Sequence, residues 1–475
     1  MLTLIKSKKV FLCILITSIV FSACKKNDPA PPPTPPPAPP SNQKEIGSFV
    51  FAKDSNAAYI AVDVYGTITA DTIKFTVAAG TDITALKPTI SFTGKSVAPG
   101  TGEPQNFSAP VTYMATAANN TTKKYTVIVK YRSTVFIPSL DGSLYALDAL
   151  NGELIWQLAS GKFDTGTPSF YKGAIYINTR QGFYAVDAKT GQQKWEYPMP
   201  NSAYGGELTP AGVVADNVVY TGAFDGYMYA LNAADGSLKW KTKSKGGDPF
   251  TSSVTLGNGI LYVSCKDASL YAFDAATGAL LWTYTASAWG LNNPLLINNN
   301  VCFGTYAGNG YLVNGTTGQL IWSSTGGGSY SSATLVDGRI YYGGGNGGYA
   351  LDINTGLPVY FTPGNTNYSE WSSPVVNDGK FYGGSQDGNL YAYDIATNKL
   401  LWTLNTEHGS YIVSSLVLSE GILYFGNSFG YIYAVNAGSG TKRWSWPNSG
   451  AIYGSACVVD QDGVAHYPAN SGEQN

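Results

Sequence analysis

The chain has 475 residues, 44% of them hydrophobic and 13% charged, with 29 Lys and Arg against 31 Asp and Glu for a formal net charge of −2. A charged fraction this low excludes a disordered polyelectrolyte, and the lack of basic excess excludes nucleic acid as a partner. Aromatics at 13%, with 34 Tyr, supply the large cores and amphipathic surfaces of a secreted, well-packed β protein.

At the N-terminus, Lys6, Lys8 and Lys9 precede an apolar run over residues 10–20. The run is too short to span a bilayer and has the length of a signal-peptide core. It ends in Phe21-Ser22-Ala23-Cys24, which resembles the lipobox of bacterial lipoproteins with Phe21 in place of the usual Leu. The resemblance implies a signal peptide over residues 1–23 and a membrane anchor of acyl chains on Cys24. Lys25-Lys26-Asn27-Asp28 has no Asp directly after the cysteine. By the same resemblance, this implies the outer membrane of a Gram-negative bacterium, with the lipid-anchored protein periplasmic or surface-exposed. An ordinary secretory signal with an incidental Cys is the alternative. Without Lys6, Lys8 and Lys9 the chain carries 26 basic residues against 31 acidic ones.

Residues 24–44 read as a linker, with nine prolines among residues 29–40. Polyproline II rises about 3.1 Å per residue, so this run makes a stiff stand-off of roughly 37 Å. A ligand for a proline-recognition module is the other reading. Residues 45–131 follow as a small β-sandwich. Thr72-Ile73-Lys74-Phe75-Thr76-Val77 and Tyr125-Thr126-Val127-Ile128-Val129-Lys130 alternate as strands, and Ala118-Asn119-Asn120-Thr121 reads as a hairpin turn. The unit is similar to the Ig-like modules at the base of Gram-negative surface lipoproteins. It is expected to act as a spacer, or else to bind carbohydrate or protein.

From residue 134 one frame recurs eight times: Tyr, Asp or Asn three residues on, Gly four later, Trp four later again. It reads Tyr145-Asp148-Gly152-Trp156, Tyr184-Asp187-Gly191-Trp195, Tyr229-Asn232-Gly236-Trp240 and Tyr271-Asp274-Gly278-Trp282 in the first half. The second half reads Tyr311-Asn314-Gly318-Trp322, Tyr349-Asp352-Gly356-Tyr360, Tyr391-Asp394-Asn398-Trp402 and Tyr433-Asn436-Gly440-Trp444. A period near 40 residues with strand-like content marks a propeller or solenoid. Asp or Asn opens a turn by bonding the backbone ahead, and Gly supplies a positive φ that Asn398 also tolerates. The strand before each turn, such as Leu270-Tyr271-Ala272-Phe273, is apolar on both faces and so is covered on both sides. Two further strands precede each Tyr, which makes four per unit, the count of a propeller blade. The first copy lacks an innermost strand, and Gly454-Ser455-Ala456-Cys457-Val458-Val459 is expected to supply it from the C-terminus.

The frame resembles the PQQ-type (quinoprotein-like) propeller repeat, whose Ala-x-Asp-x-x-Thr-Gly-x-x-x-Trp signature is nearly verbatim from Ala185 to Trp195 and from Ala272 to Trp282. The resemblance implies an all-β chain with an eight-bladed propeller over residues 134–467. It is similar to the propeller lipoprotein of the outer-membrane barrel-assembly machinery, a family that lacks the proline stalk and the sandwich.

Constellations for catalysis are scarce. Only two histidines occur, His408 and His466, with no metal-ligand spacing. No nucleophile elbow, phosphate loop or dinucleotide fingerprint is present. No metal site is expected, and no cofactor. The PQQ-dependent dehydrogenases of this repeat family hold PQQ with Ca²⁺ under a disulfide of adjacent cysteines. Cys265, Cys302 and Cys457 are an odd, scattered set beyond the leader, and read as buried thiols.

The segments entering each innermost strand carry an aromatic in every blade: Phe163, Tyr204, Phe250, Trp289, Tyr330, Tyr368 with Trp371, Tyr411 and Tyr453. Around them lie Asp164, Glu207, Asp248, Glu370 and Glu407, with Ser252, Asn292, Ser331, Ser372 and Ser414. Aromatic platforms with interspersed polar groups at a funnel mouth suit sugars or extended peptides. The same rings could simply plug the channel. Two functions follow: a non-catalytic envelope lipoprotein that binds or scaffolds an envelope protein or polysaccharide, or an enzyme with its site in the funnel. The enzyme would be a PQQ-dependent dehydrogenase or a glycan-acting enzyme using Glu207, Glu370 or Glu407.

Overall fold

The computed structural model describes residues 38–200, 209–288, 292–305, 307–325, 331–343, 349–359, 372–406 and 410–468. The leader, Cys24 and most of the proline stretch lie outside the described residues.

The N-terminal unit is a two-sheet sandwich. Ile46–Phe51 pairs with Val64–Tyr65 and Thr89–Phe92 in a three-stranded sheet. Thr67–Thr69, Thr72–Val77, Thr122–Tyr131, Val111–Thr116 and Ser96–Ala98 lie in that order in a five-stranded one. Alternation decides which side chains enter the core: Ile73, Phe75 and Val77 are buried while the residues between them face water. They meet Phe49 and Phe51 from the other sheet, with Phe49 set edge-on to Phe75 and to Tyr113 at 5.6 and 4.9 Å. Each such buried ring is worth about 1.5–3 kcal/mol. Residues 117–121 form the hairpin turn, closed by Ala117 N–H to the Thr121 carbonyl at 2.9 Å, with Asn120 at φ 67°.

Among the described residues, eight sheets follow the sandwich. In blade 2, Ser169–Tyr171, Ala174–Thr179, Gly182–Asp187 and Gln193–Pro198 lie side by side in chain order from the axis outwards. Blades 3 to 8 repeat this pattern. Blade 1 takes its inner strand from the far end of the chain: Cys457–Val459 pairs antiparallel with Thr134–Pro138, with Cys457 opposite Phe136. The two middle strands are buried on both faces, as in Ser143–Asp148, because each blade is covered by its neighbours.

The repeated frame is the joint between blades. Asp187 Oδ1 accepts hydrogen bonds from Lys189 N, Thr190 N and the Thr190 hydroxyl at 2.9–3.1 Å, and Gly191 at φ 73° completes the turn. Trp156 of blade 1 then lies flat on Gly191 of blade 2, where an added Cβ would sit 2.6 Å from the indole. Its Nε1 donates to the Ala188 carbonyl at 3.0 Å. The same pair of contacts joins Trp195 to Gly236, Trp240 to Gly278, Trp282 to Gly318, Trp322 to Gly356 and Trp402 to Gly440. Trp444 of blade 8 closes the ring on Gly152. Between blades 6 and 7, Thr334 Oγ1 donates to the Pro374 carbonyl at 2.9 Å.

The sandwich is docked directly on the propeller. Its Gly80 meets Gly173 backbone to backbone, with a Cβ added at Gly173 only 2.8 Å from the Gly80 carbonyl oxygen. Lys189 Nζ donates to the Tyr59 carbonyl at 2.8 Å, Tyr131 N to the Gln461 carbonyl at 2.8 Å, and Lys130 pairs with Asp462. Every propeller residue in these contacts belongs to a turn on one face, the face that carries the Asp-x-x-x-Gly turns.

Candidate functional site

The opposite face of the ring is built from the loops that enter the innermost strands and the turns between the second and third strands. In those turns a carboxylate holds the frame Tyr: Tyr145 donates to Asp141, Tyr229 to Asp225, Tyr271 to Asp267 and Tyr391 to Asp387, at 2.5–2.6 Å. Burial, reinforced by the carboxylate, pushes the Tyr145 and Tyr391 hydroxyls up to about 12. The Asp four residues before the Tyr is legible in the sequence as a second fixed offset, which the frame reading missed.

The aromatics of the mouth divide. Phe163 and Phe250 are buried, and their rings pack against Tyr184 and Tyr271, each at 5.4 Å. They are filler and offer no surface to a ligand. Tyr411 is 56% exposed, and Tyr453 is half-buried. Tyr204, Trp289, Tyr330, Tyr368 and Trp371 lie outside the described residues, as do Glu207, Glu370 and Glu407. Beside Tyr411, the structure adds two side chains that the sequence did not single out, Phe429 at 62% and Leu140 at 42% exposure. Ser428 N donates to the Tyr411 carbonyl at 2.9 Å, and Leu140 N to that of Ala451 at 3.1 Å. The first bond lies within the loops of blade 8 and the second within those of blade 1, and Ile452 N, on the loop entering blade 1, donates to the Asn427 carbonyl of blade 8 at 3.0 Å to join the two sets.

The small polar residues expected between the aromatics serve the ring itself. Ser252, Asn292, Ser331 and Ser414 accept hydrogen bonds from Ser264 N, Gly304 N, Gly343 N and Gly426 N, at 2.6–3.1 Å. The Ser372 hydroxyl donates to the Ser414 carbonyl at 2.9 Å. The next residue along reaches the neighbouring blade: Ser332 N donates to Ser373 Oγ, Ser373 N to Ser415 Oγ and Ser415 N to Ser455 Oγ, at 2.9–3.1 Å. Such a belt satisfies backbone groups that a narrow axis leaves without ladder partners.

Asp164 is similarly consumed. It is buried and accepts from Thr165 N at 2.5 Å, the Thr209 hydroxyl at 2.9 Å and Arg180 N at 3.2 Å, with Arg180 Nε 3.8 Å away. Asp248 is half-buried, and its carbonyl accepts the Ser244 hydroxyl at 2.9 Å.

The C-terminus returns to the axial side of blade 1 at the sandwich end. After Cys457–Val459 the chain turns at Asp460 and returns as Ala465–His466, paired to the axial side of that strand. The Tyr467 hydroxyl then bridges Phe170 of blade 2, accepting from its N at 2.9 Å and donating to its carbonyl at 3.2 Å. His466 Nε2 lies 2.8 Å from Asp460 Oδ2; His408 is outside the described residues. Cys265, Cys302 and Cys457 are free and buried, and burial raises the Cys265 and Cys302 thiols to about 12. Among the described residues, no group of three or more His, Cys, Asp or Glu is placed to hold a metal ion. The axial space beside blades 8, 1 and 2 holds Ala465 to Tyr467, and the small polar side chains of the belt are hydrogen-bonded to backbone.

Comparison with known proteins places these features among relatives. The family described as outer membrane protein assembly factor BamB matches residues 126–249 and 225–446, and the family described as SGBP, N-terminal, matches residues 57–129. Outer membrane protein assembly factor BamB of Moranella endobia (strain PCIT) is 26% identical over 294 residues, 56% of this chain and 74% of that protein. Quinohemoprotein alcohol dehydrogenase ADH-IIG of Pseudomonas putida is 26% identical over 161 residues, 27% of this chain but only 22% of that enzyme. Among solved structures, BamB from Moraxella catarrhalis superposes with a TM-score of 0.50 at 18% identity, covering 66% of this chain and 91% of that one. The computationally designed Ika8 protein gives 0.51 at 19%, covering 64% and 95%. At such identities, the structural likeness speaks for the fold alone.

Proposed function

The chain belongs to the family of the outer membrane protein assembly factor BamB, and from that premise we propose that it is a non-catalytic envelope lipoprotein whose free propeller face binds a protein or polysaccharide. The observation that carries this reading is the asymmetry of the two faces. One meets the sandwich and the returning C-terminus beside blades 8, 1 and 2 and exposes the aliphatic Leu150 and Leu357; the other exposes the aromatic Tyr411 and Phe429 together with Leu140. Exposed apolar side chains grouped on one face mark an interaction site.

The direction of the chain supports it further. Residue 41 lies at the sandwich's far pole, where its carbonyl accepts Asn119 N at 3.1 Å. The ten-residue strand Thr122–Tyr131 runs from that pole to the propeller, about 30 Å at 3.3 Å per residue. A lipid on Cys24 in the outer membrane of a Gram-negative bacterium would therefore hold the free face away from the bilayer, on the periplasmic or the outer side. The sandwich, proposed as Ig-like, serves as a rigid mount.

Affinity electrophoresis on envelope polysaccharides and pull-down from envelope extract test the proposal, each with Tyr411→Ala and Phe429→Ala beside the unaltered chain. Retention that falls at least about tenfold in the variants supports it. Retention unchanged by either variant, or a tight stoichiometric complex with PQQ and Ca²⁺, would overturn it in favour of another face or of an enzyme.

A further inference from the structure

A second concave site lies under the sandwich, on the face away from the mouth, and does not depend on the reading of the mouth. A cavity of about 260 Å³ opens where Thr76, Tyr131 and Arg132 meet Asp148 of blade 1 and Glu420, Tyr424 and Arg443 of blade 8. Seams between folded units are common ligand sites, and those that take drug-sized molecules begin near 300 Å³. This one matches a single small ring.

Its lining mixes donors and acceptors with no net charge: two guanidiniums, Arg132 and Arg443, against two carboxylates, Asp148 and Glu420. Arg132 Nε is 3.7 Å from Asp148 Oδ2, and Glu420 accepts the Ser133 hydroxyl at 3.3 Å. Both contacts are long for charged groups, which normally close to 2.7–2.9 Å. The Arg443 guanidinium has no hydrogen bond or ion pair among the described residues. Ile422 and Leu150 supply an apolar wall.

Glu420 carries a second signal. It sits at φ 50° in the turn between the first two strands of blade 8, where five sibling turns place Asp216, Asn258, Asn298, Asp337 or Asp378 at similar φ and a sixth, in blade 2, places Lys172 at φ 46°. Asp and Asn tolerate that conformation far better than Glu. The longer carboxylate is held there at a cost, and it points into the seam. Strain of this kind gathers at ligand sites.

We propose that the seam binds one neutral sugar ring. Hydroxyls both donate and accept, so alternating guanidinium and carboxylate partners suit them, and a balanced lining rewards neither a cation nor an anion. A ring held there touches sandwich and propeller together, so it also fastens the mount to the ring.

Isothermal titration calorimetry of the full chain tests this with D-glucose, D-galactose, D-mannose and N-acetyl-D-glucosamine, and with D-glucuronate as the charged comparison. At least one neutral sugar is expected to bind saturably, with Kd below about 1 mM. Glu420→Gln and Arg443→Ala should each weaken it at least tenfold, and Tyr411→Ala should leave it unchanged. If either seam variant loses its folded signal, Gln461→Ala takes its place. No saturable binding of a neutral sugar, binding of glucuronate alone, or binding untouched by the seam substitutions would each overturn the proposal. Loss through Tyr411→Ala would do so too, by moving the sugar to the mouth.

Discussion

The indole of Trp444 lies on the backbone of Gly152, so that a Cβ added to the glycine would stand 2.8 Å from the ring, while the indole N–H donates to the Ala149 carbonyl at 3.0 Å. The last blade is thereby fastened to the first by the joint that also links blades 1 to 6 in succession and blade 7 to blade 8. A glycine in this frame is held for two reasons at once, its positive φ and the ring above it.

Those two reasons can be separated. Gly259 has φ 75° and no atom within 4 Å of an added Cβ, so Gly259→Ala should cost only the left-handed strain, about 1–2 kcal/mol. Gly152→Ala, at φ 77°, should cost that and about 1–3 kcal/mol more as the indole is displaced. Urea unfolding of the two variants reads the difference directly.

In the sequence the two departures from the frame fall in consecutive copies, one at the Trp position and the next at the Gly position. Blade 7 carries Asn398 at φ 55° where the other turns carry Gly, and the preceding copy carries Tyr360 in place of Trp; residue 360 is outside the described residues. Tyr360→Trp alone should destabilise by about 1–3 kcal/mol as the larger ring meets the Asn398 side chain. Adding Asn398→Gly should recover most of that loss. A double-mutant cycle with coupling below about 0.5 kcal/mol would show that the exchange is incidental.

Filler and platform should respond in opposite ways to truncation. Phe250→Ala empties a fully buried site and should cost about 3–5 kcal/mol. Tyr411→Ala should change stability by less than about 0.5 kcal/mol, and its effect should appear in retention on the partner. Thermal melts of both variants, run beside the retention assay, separate the roles.

Stability should fall at both ends of the pH range. Hydrogen bonds from Thr277, Thr355 and Thr397 lower the turn carboxylates of Asp274, Asp352 and Asp394, and Lys162 lowers Glu196. Groups whose folded pKa is depressed contribute fully above the ordinary carboxylate range, and the contribution is lost as pH falls through their folded values. Burial raises Cys302 and the hydroxyls of Tyr176 and Tyr184 to about 12. Their contribution is whole below the ordinary values of about 9 and 10, and is lost as pH rises towards 12. Melting temperature should thus be flat from about pH 5 to 9 and drop on either side. Ionisation of Tyr176 and Tyr184 themselves ahead of unfolding at high pH, followed by NMR of their rings, would contradict the alkaline limb.

The ring was legible because its frame never changes spacing, and because turn chemistry at Asp187 and Gly191 is local. The joint was harder to read, since Gly191 belongs with Trp156 of the previous blade rather than with Trp195 of its own. The mouth was read less well for a related reason. An added Cβ on Gly222 meets Phe250, whereas on Gly384 and Gly426 it meets Ile412 and Ile452. The inward position is therefore aromatic in one blade and aliphatic in two others, whose Tyr411 and Tyr453 are displaced outwards by one residue. The docked sandwich was not legible, because Gly80, Tyr131 and Arg132 look ordinary until they meet Gly173, Gly463 and Asp148.

The central claim is that the face away from the sandwich is the one that binds. Site-specific photocrosslinking in the intact envelope tests it, with the photoreactive residue placed at Leu140, Tyr411 or Phe429 on that face and at Asn258 or Asn354 on the other. The account predicts shifted species, discrete for a protein and smeared for a polysaccharide, from the first three positions only. Adducts from Asn258 and Asn354 with none from Leu140, Tyr411 and Phe429 would contradict it.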